Sequence, residues 1–284
     1  MRAIYSSLFM ALAVPGVAMA QFSITPGGTN SGNGNFAQGA AATTLAGTGL
    51  GGANLRPTTT GSQDQAFQDA WFFRGAGDTR ERAFATQSSG GYTGTSALVG
   101  NNLNTLDTGG YNHTVTNTNS NAYTFSVQLR WQIVAGPNGP IVNYSAVVTN
   151  TAAQGTANLL LSMFHYQDFD VNATTGSDVY AYSAPNFTIS EGAINLFHSG
   201  IAATAYQAAA FTSDRMGLNN ATVTNLNNTV AGSPGDYTGA FQWDLNLAPG
   251  ASATIGGQFG WIPTPGASAL LGLGGLVMAR RRRA

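Results

Sequence analysis

The chain has no cysteine and no lysine, only two glutamates and three histidines. It also has no unbroken apolar run of the ~20 residues that a permanent membrane helix needs. Without cysteine there are no disulfides, no thiolate nucleophile and no thiolate metal site. All eleven basic residues are arginine, and five of them stand at the two ends, Arg2 and Arg280 to Arg283. Between the ends six arginines face twelve acids, an excess of six negative charges. Such a body lacks the basic face that nucleic-acid binding requires, which excludes that class of partner. Charged residues make up 8% of the 284 positions, against about 25% in an ordinary soluble domain. Asn, Thr, Ser and Gly take their place, giving a polar but uncharged surface of the kind familiar in exported β proteins.

What is present at the ends reads as addressing. Residues 1–20 carry one positive charge, Arg2, then an apolar stretch from Leu8 to Val14, then the small-x-small close Ala18, Met19, Ala20. This is the layout of a secretory signal peptide, removed by signal peptidase to leave a mature start at Gln21. Pro15 and Gly16 stop the apolar stretch too early for a membrane helix. At the other end Ile262, Pro263, Thr264, Pro265 and Gly266 precede a small and apolar run at residues 267–279, and Arg280, Arg281, Arg282 and Arg283 follow it. Thirteen helical residues span about 20 Å. That is short for a hydrocarbon core of about 30 Å, and Gly272, Gly274 and Gly275 weaken the helix further, so it suits transient anchoring with the arginines on the cytoplasmic side.

This order of proline motif, short transmembrane helix and arginine cluster resembles the PEP-CTERM sorting signal of bacteria, in a planctomycete-like variant. Thr264 stands where the family's Pro-Glu-Pro carries glutamate. The resemblance covers only residues 261–284. It implies cleavage near the prolines by an exosortase-type membrane enzyme and delivery to the outer surface or to an extracellular polysaccharide matrix.

The composition between the ends divides in two. Residues 21–65 are rich in Gly, Asn and Thr, with few sizeable apolar side chains, and offer too little burial to offset backbone ordering of about 1 to 2 kcal/mol per residue. A flexible leader is expected there, with Phe22 and Ile24 able to add a short edge strand. Residues 66–260 carry short apolar runs separated by turn formers, which predicts an all-β domain: a single antiparallel β-sandwich, jelly-roll-like, of some ten strands. The clearest strand is 122–134, with Tyr123, Phe125, Val127, Leu129, Trp131 and Ile133 on one face and Thr124, Ser126, Gln128, Arg130 and Gln132 on the other. It pairs in this reading with 141–149. Residues 158–166 are apolar on both faces at Leu159, Leu160 and Leu161, as a central strand would be. Pro249 and Gly250 suit the middle of a type II turn, which predicts a hairpin between 241–247 and 251–259. Weaker strand patterns lie at 71–74, 82–87, 111–117, 179–183, 187–190, 194–198 and 223–230. Residues 202–211 are alanine-rich and compatible with a short helix.

Few residues point to chemistry. His113, His165 and His198 occur without a Gly-x-Ser-x-Gly elbow, His113 and His198 in alternating strand-like segments, and solvent-facing or hydrogen-bonded strand histidines are expected. Glu81 and Glu191 stand in no recognisable glycosidase setting. Asp168, Asp170 and Asn172 recur at every second residue after the expected central strand, followed by Asp178; an extended chain would project the first three on one side as hard oxygen ligands for Ca²⁺. Against an EF-hand loop, however, Ala173 stands at the turn-glycine position and Val179 at the bidentate glutamate position. The simpler readings are an Asx turn or pairing with an arginine such as Arg130. Trp131 and Trp243 fall on apolar strand faces and Trp261 opens the sorting tail, which leaves Trp71 as the tryptophan whose environment is open to stacking on a sugar. No cofactor other than such a structural Ca²⁺ is expected. The expected role is non-enzymatic, structural or adhesive; a carbohydrate-binding module and a secreted hydrolase are the alternatives.

Overall fold

A computed structural model describes residues 36–38, 53–55, 65–84, 92–99, 108–118, 122–135, 140–211, 217–218, 220, 222–232 and 234–262. Within them the chain is all-β. Strands β1 (Phe36–Gln38) and β2 (Ala53–Leu55) form a small antiparallel pair inside the expected leader; Phe22 and Ile24 lie outside the described residues. The larger sheet has eight strands in the order β10 (Val179–Ser183), β11 (Asn186–Glu191), β12 (Ile194–Ile201), β16 (Ser252–Trp261), β8 (Pro140–Asn150), β7 (Tyr123–Ala135), β6 (Thr108–Asn117) and β5 (Tyr92–Val99), with every neighbouring pair antiparallel. The smaller has six, β14 (Thr229–Val230), β13 (Ala205–Ala210), β15 (Tyr237–Leu247), β9 (Leu159–Asp168), β3 (Gln68–Gly75) and β4 (Arg82–Ala83), antiparallel except for the β13–β14 pair.

Alternation along the strands decides which faces meet. In β7, Phe125, Val127, Leu129 and Trp131 are at most 3% exposed, while Thr124 and Ser126 are half-buried and Gln128 is exposed. The inner faces of the two sheets touch through rings: Phe73 of β3 lies 5.3 Å from Phe125 of β7, Trp71 lies 5.7 Å from Tyr144 of β8, and Phe241 of β15 lies 4.8 Å from Phe187 of β11. Each such side chain contributes roughly 1.5 to 3 kcal/mol by leaving water. The arrangement is compatible with a β-sandwich.

Four sequence expectations change here. The turn at 248–251 forms as expected, with Ala251 N–H donating to Ala248 O at 2.9 Å and Gly250 at φ +79°, but it does not close a hairpin. β15 belongs to the smaller sheet and β16 to the larger, so the turn carries the chain across the core. The cause is that both strands have apolar inner faces, Phe241 and Trp243 on one and Ile255 and Phe259 on the other, which bury more by facing each other than by lying side by side. Asn150 ties this crossing. Its backbone bonds Gly250 and Ala251, its Nδ2 donates to Leu247 O at 2.9 Å, and its Oδ1 accepts from Ala152 N at 3.0 Å. The alanine-rich segment forms a strand, β13, because pairing with β15 decides against local helix propensity. In β9 the burial of both faces begins at Met163, while Leu160 is 49% exposed. Of residues 223–230 only Thr229 and Val230 are strand.

The smaller sheet also buries its outer face. Phe72, Phe164, Tyr166, Ala70, Ala83 and Ala240 form a second cluster with Leu218 and Leu226. Arg74 clasps that cover: Nη1 donates to Glu81 Oε1 and to Thr224 O, both at 2.5 Å, Nη2 donates to Asn225 Oδ1 at 2.6 Å, and the guanidinium lies 5.6 Å from the Phe164 ring centre. Glu81 Oε1 also accepts from Thr224 N at 2.9 Å. Among the described residues no helix is long and apolar enough to cross a membrane. Arg74→Ala strands the fully buried Glu81 side chain and frees the 222–227 segment, so urea unfolding is expected to give a loss of about 3 to 5 kcal/mol.

Candidate functional site

The three histidines expected on strands are all buried, His113 at 3% exposure and His165 and His198 at 0%. His165 and His198 form the middle of a polar chain that crosses the core from sheet to sheet. Asp69 on β3 accepts at Oδ1 from Trp131 Nε1 of β7 at 3.1 Å, and its Oδ2 lies 3.0 Å from His165 Nε2 on β9. His165 Nδ1 then meets His198 Nε2 of β12 at 3.0 Å. Tyr144 of β8 stacks flat on the His165 ring with centroids 3.6 Å apart, places its hydroxyl 3.2 Å from His198 Nε2, and donates to Ser199 O. The inner face of each strand aims these side chains inward, and Trp71, 3% exposed, closes over His165 at 4.8 Å.

Burial sets the charge state. It pushes the Asp69 carboxyl well above the usual carboxylate range and holds both imidazoles well below theirs, that of His198 further depressed by its neighbour His165. With all three neutral the polarity runs one way: Asp69 O–H faces His165 Nε2, His165 Nδ1–H donates to His198 Nε2, and the Tyr144 hydroxyl donates to the backbone. His198 Nδ1 is left without a partner. The arrangement can orient rings and brace the two sheets. Surface cavities among the described residues include one of about 460 Å³ beside Arg74, Ser162 and Asp244 and one of about 500 Å³ beside Asn117, Tyr123 and Asn150, and no histidine lines either of these.

The acidic residues after β9 come together in part. Asp168, at the end of β9, and Asp170 join Asp236 with carboxylate oxygens all within 4.8 Å of one another. Asp178 lies close enough to feel Glu191, Asp170 and Asp236. Asn172 is not in this group. It sits exposed in a 3-10 turn (Val171–Ala173) at φ 59°, and its backbone N–H donates to Gln65 Oε1 at 2.7 Å. Asp236 is 68 positions from Asp168, and no local spacing marks it. What brings it in is a two-bond bridge between Asp178 and Gly235, at 3.1 and 3.0 Å. Arg130 bonds Leu129 O and Asn112 Oδ1 on its own sheet. Of the sorting motif, Ile262 belongs to the body, its N–H donating to Asn195 O at 3.0 Å, and Trp261 is the buried end of β16. Pro263, Thr264, Pro265, Gly266 and Arg280 to Arg283 lie outside the described residues.

Neutral buried histidines make stability depend on pH with a definite sign. His113 is held down to about 4 by burial, and all three would titrate near 6.5 in the unfolded chain. Below pH 6.5 the unfolded chain therefore binds up to three protons that the folded histidines refuse, offset in part by the two that the buried carboxyls of Asp69 and Asp178, the latter held up to about 8, retain in the folded chain. Stability is expected to fall by about 1 kcal/mol per pH unit between pH 5.5 and 4.5, where the histidine protons outnumber the two carboxyl protons. Thermal unfolding across that range measures it, and His113→Gln should flatten that slope almost completely. Comparison with family models gives no match, and neither does comparison with curated proteins, so the chain's function rests on its own residues.

Proposed function

We propose that this chain is an exported, non-enzymatic protein of the bacterial cell surface or extracellular matrix, sorted through its PEP-CTERM-like tail and serving a structural or adhesive role. Its body in this reading is a jelly-roll-like sandwich. The observation that carries the proposal is the junction: among the described residues the last strand closes at Trp261, Ile262, the first residue of the motif, makes the last backbone bond, and the first proline of the motif follows it. Cleavage near Pro263 by an exosortase-type enzyme would therefore leave every described strand intact. Signal peptidase would act at the other end, and the apolar run at 267–279 would hold the chain in the inner membrane until processing.

The surface of the body supports the same reading. The outer face of the larger sheet is laddered with uncharged hydrogen-bonding groups: Gln258 donates to Asn143 at 2.7 Å, Thr149 meets Ser252 at 2.7 Å, and Thr124 meets both Thr116 and Thr151 at 3.3 and 3.1 Å. Such a face suits a hydrated polysaccharide setting. The four tryptophans are each at most 8% exposed, which gives no support to a sugar-stacking platform built from them. The histidines are engaged in the core or packed beneath it, which gives none to a hydrolase built on them.

The test is truncation after Ile262 in the native host, followed by fractionation and surface labelling. The body is expected to fold with unchanged thermal stability and to be lost from the surface fraction. Unaltered surface delivery of the truncated chain overturns the proposal.

A further inference from the structure

The group of carboxylates beyond β9 is assembled from three separate stretches of chain: the end of β9 and its following loop, the bridge residue Asp178, and the residue before β15. Three of its members, Asp168, Asp170 and Asp236, offer oxygens within 4.8 Å of one another. Two oxygens bound to one Ca²⁺ at 2.3–2.6 Å can lie no farther apart than roughly twice that length, about 5 Å. The spacing is thus already that of ligands around a single ion.

Asp178 supplies the second, independent observation. It is 1% exposed, one oxygen takes a backbone hydrogen bond from Val171, and its Oδ1 meets no donor. A buried acceptor with no donor costs about 1 to 3 kcal/mol, more when charged. The neighbouring charges, those of Glu191, Asp170 and Asp236, are all of the wrong sign to help. A cation answers all of this at once, by giving Oδ1 a partner and cancelling the repulsion. His165 lies on the inner face of β9 within the core chain, and the chain has no cysteine, so the donors at this place are hard oxygens alone.

We propose that Asp168, Asp170, Asp178 and Asp236 form a calcium site that fastens the segment before β10 and the turn before β15 to the end of β9. Ca²⁺ fits better than Mg²⁺, because ligands drawn from three chain segments give an irregular oxygen shell that Ca²⁺ accepts and a strict octahedral ion does not. An affinity of about 0.1 to 1 mM, that of extracellular calcium modules, would suffice. The site does not depend on the sorting reading, because it is tested on purified chain.

The experiment follows thermal unfolding of the full chain at constant ionic strength in EDTA, in millimolar CaCl₂ and in millimolar MgCl₂, with calorimetric titration of Ca²⁺. At calcium tenfold above its dissociation constant the midpoint is expected to rise by about 3 to 6 °C, with little effect of magnesium. Asp178→Asn is expected to melt higher than the parent in EDTA, since the buried repulsion is gone, and to bind calcium at least tenfold more weakly. Asp236→Asn, nearer the surface, is expected to lose the calcium response while remaining folded. No calcium shift in the folded parent overturns the site, as does an equal shift in parent and both variants. A midpoint that depends on pH but not on calcium also overturns it, by showing that protonation alone relieves Asp178.

Discussion

Two sheets with no disulfide between them are held in register by what passes through the core, and here that is a hydrogen-bonded chain as well as apolar packing. Asp69 and His165 stand on the smaller sheet, and Trp131, Tyr144 and His198 on the larger, so the Trp131–Asp69 and His165–His198 bonds both run across the layer. Apolar contact alone is non-directional and tolerates sliding. Directional bonds between named partners do not. Trp243, whose indole N–H reaches Ile201 O at 2.9 Å, adds another crossing bond from the smaller sheet to the larger. The close approach of β16 to β12 belongs to the same packing: a Cβ at Gly257 would collide with the backbone carbonyl of Ser199, which the Tyr144 hydroxyl also bonds.

The remaining polar devices sit at the margins of that layer. Asn150 satisfies the backbone where the chain turns from one sheet to the other, and Arg74 with Glu81 fixes a cover over the outer face of the smaller sheet. In a chain with so few charges, the arginine at position 74 works as a multidentate donor more than as a surface charge, which its planar fork of N–H groups makes possible.

Much of the strand content was legible because half-buried strands write their faces at period two: residues 122–134 and 141–149 became β7 and β8 with shifts of a residue or two. What period two cannot carry is which sheet a strand joins. Residues 241–247 and 251–259 were readable as strands, and Pro249–Gly250 as a turn, but crossing and hairpin share one local pattern and differ only in long-range burial. β5 was missed because Tyr92–Val99 is broken up by Gly94 and small residues. Among the acids, Asp168 and Asp170 were visible by spacing. Asp236 was not, because a backbone bridge between Asp178 and Gly235, 57 positions apart, brings it there. The histidines were expected to be ordinary strand residues, and their burial depends on partners on β3, β7 and β8 that no local window contains.

The one-way polarity of the core chain has an evolutionary consequence. Trp131 is paired with Asp69, Asp69 with His165 and His165 with His198, so replacing one strands the next in a medium where nothing else can answer it. Divergence at Asp69, Trp131, Tyr144, His165 and His198 is therefore constrained to proceed jointly: a lineage keeps the whole set or exchanges it for an apolar one, and mixed combinations should be rare among descendants of this fold.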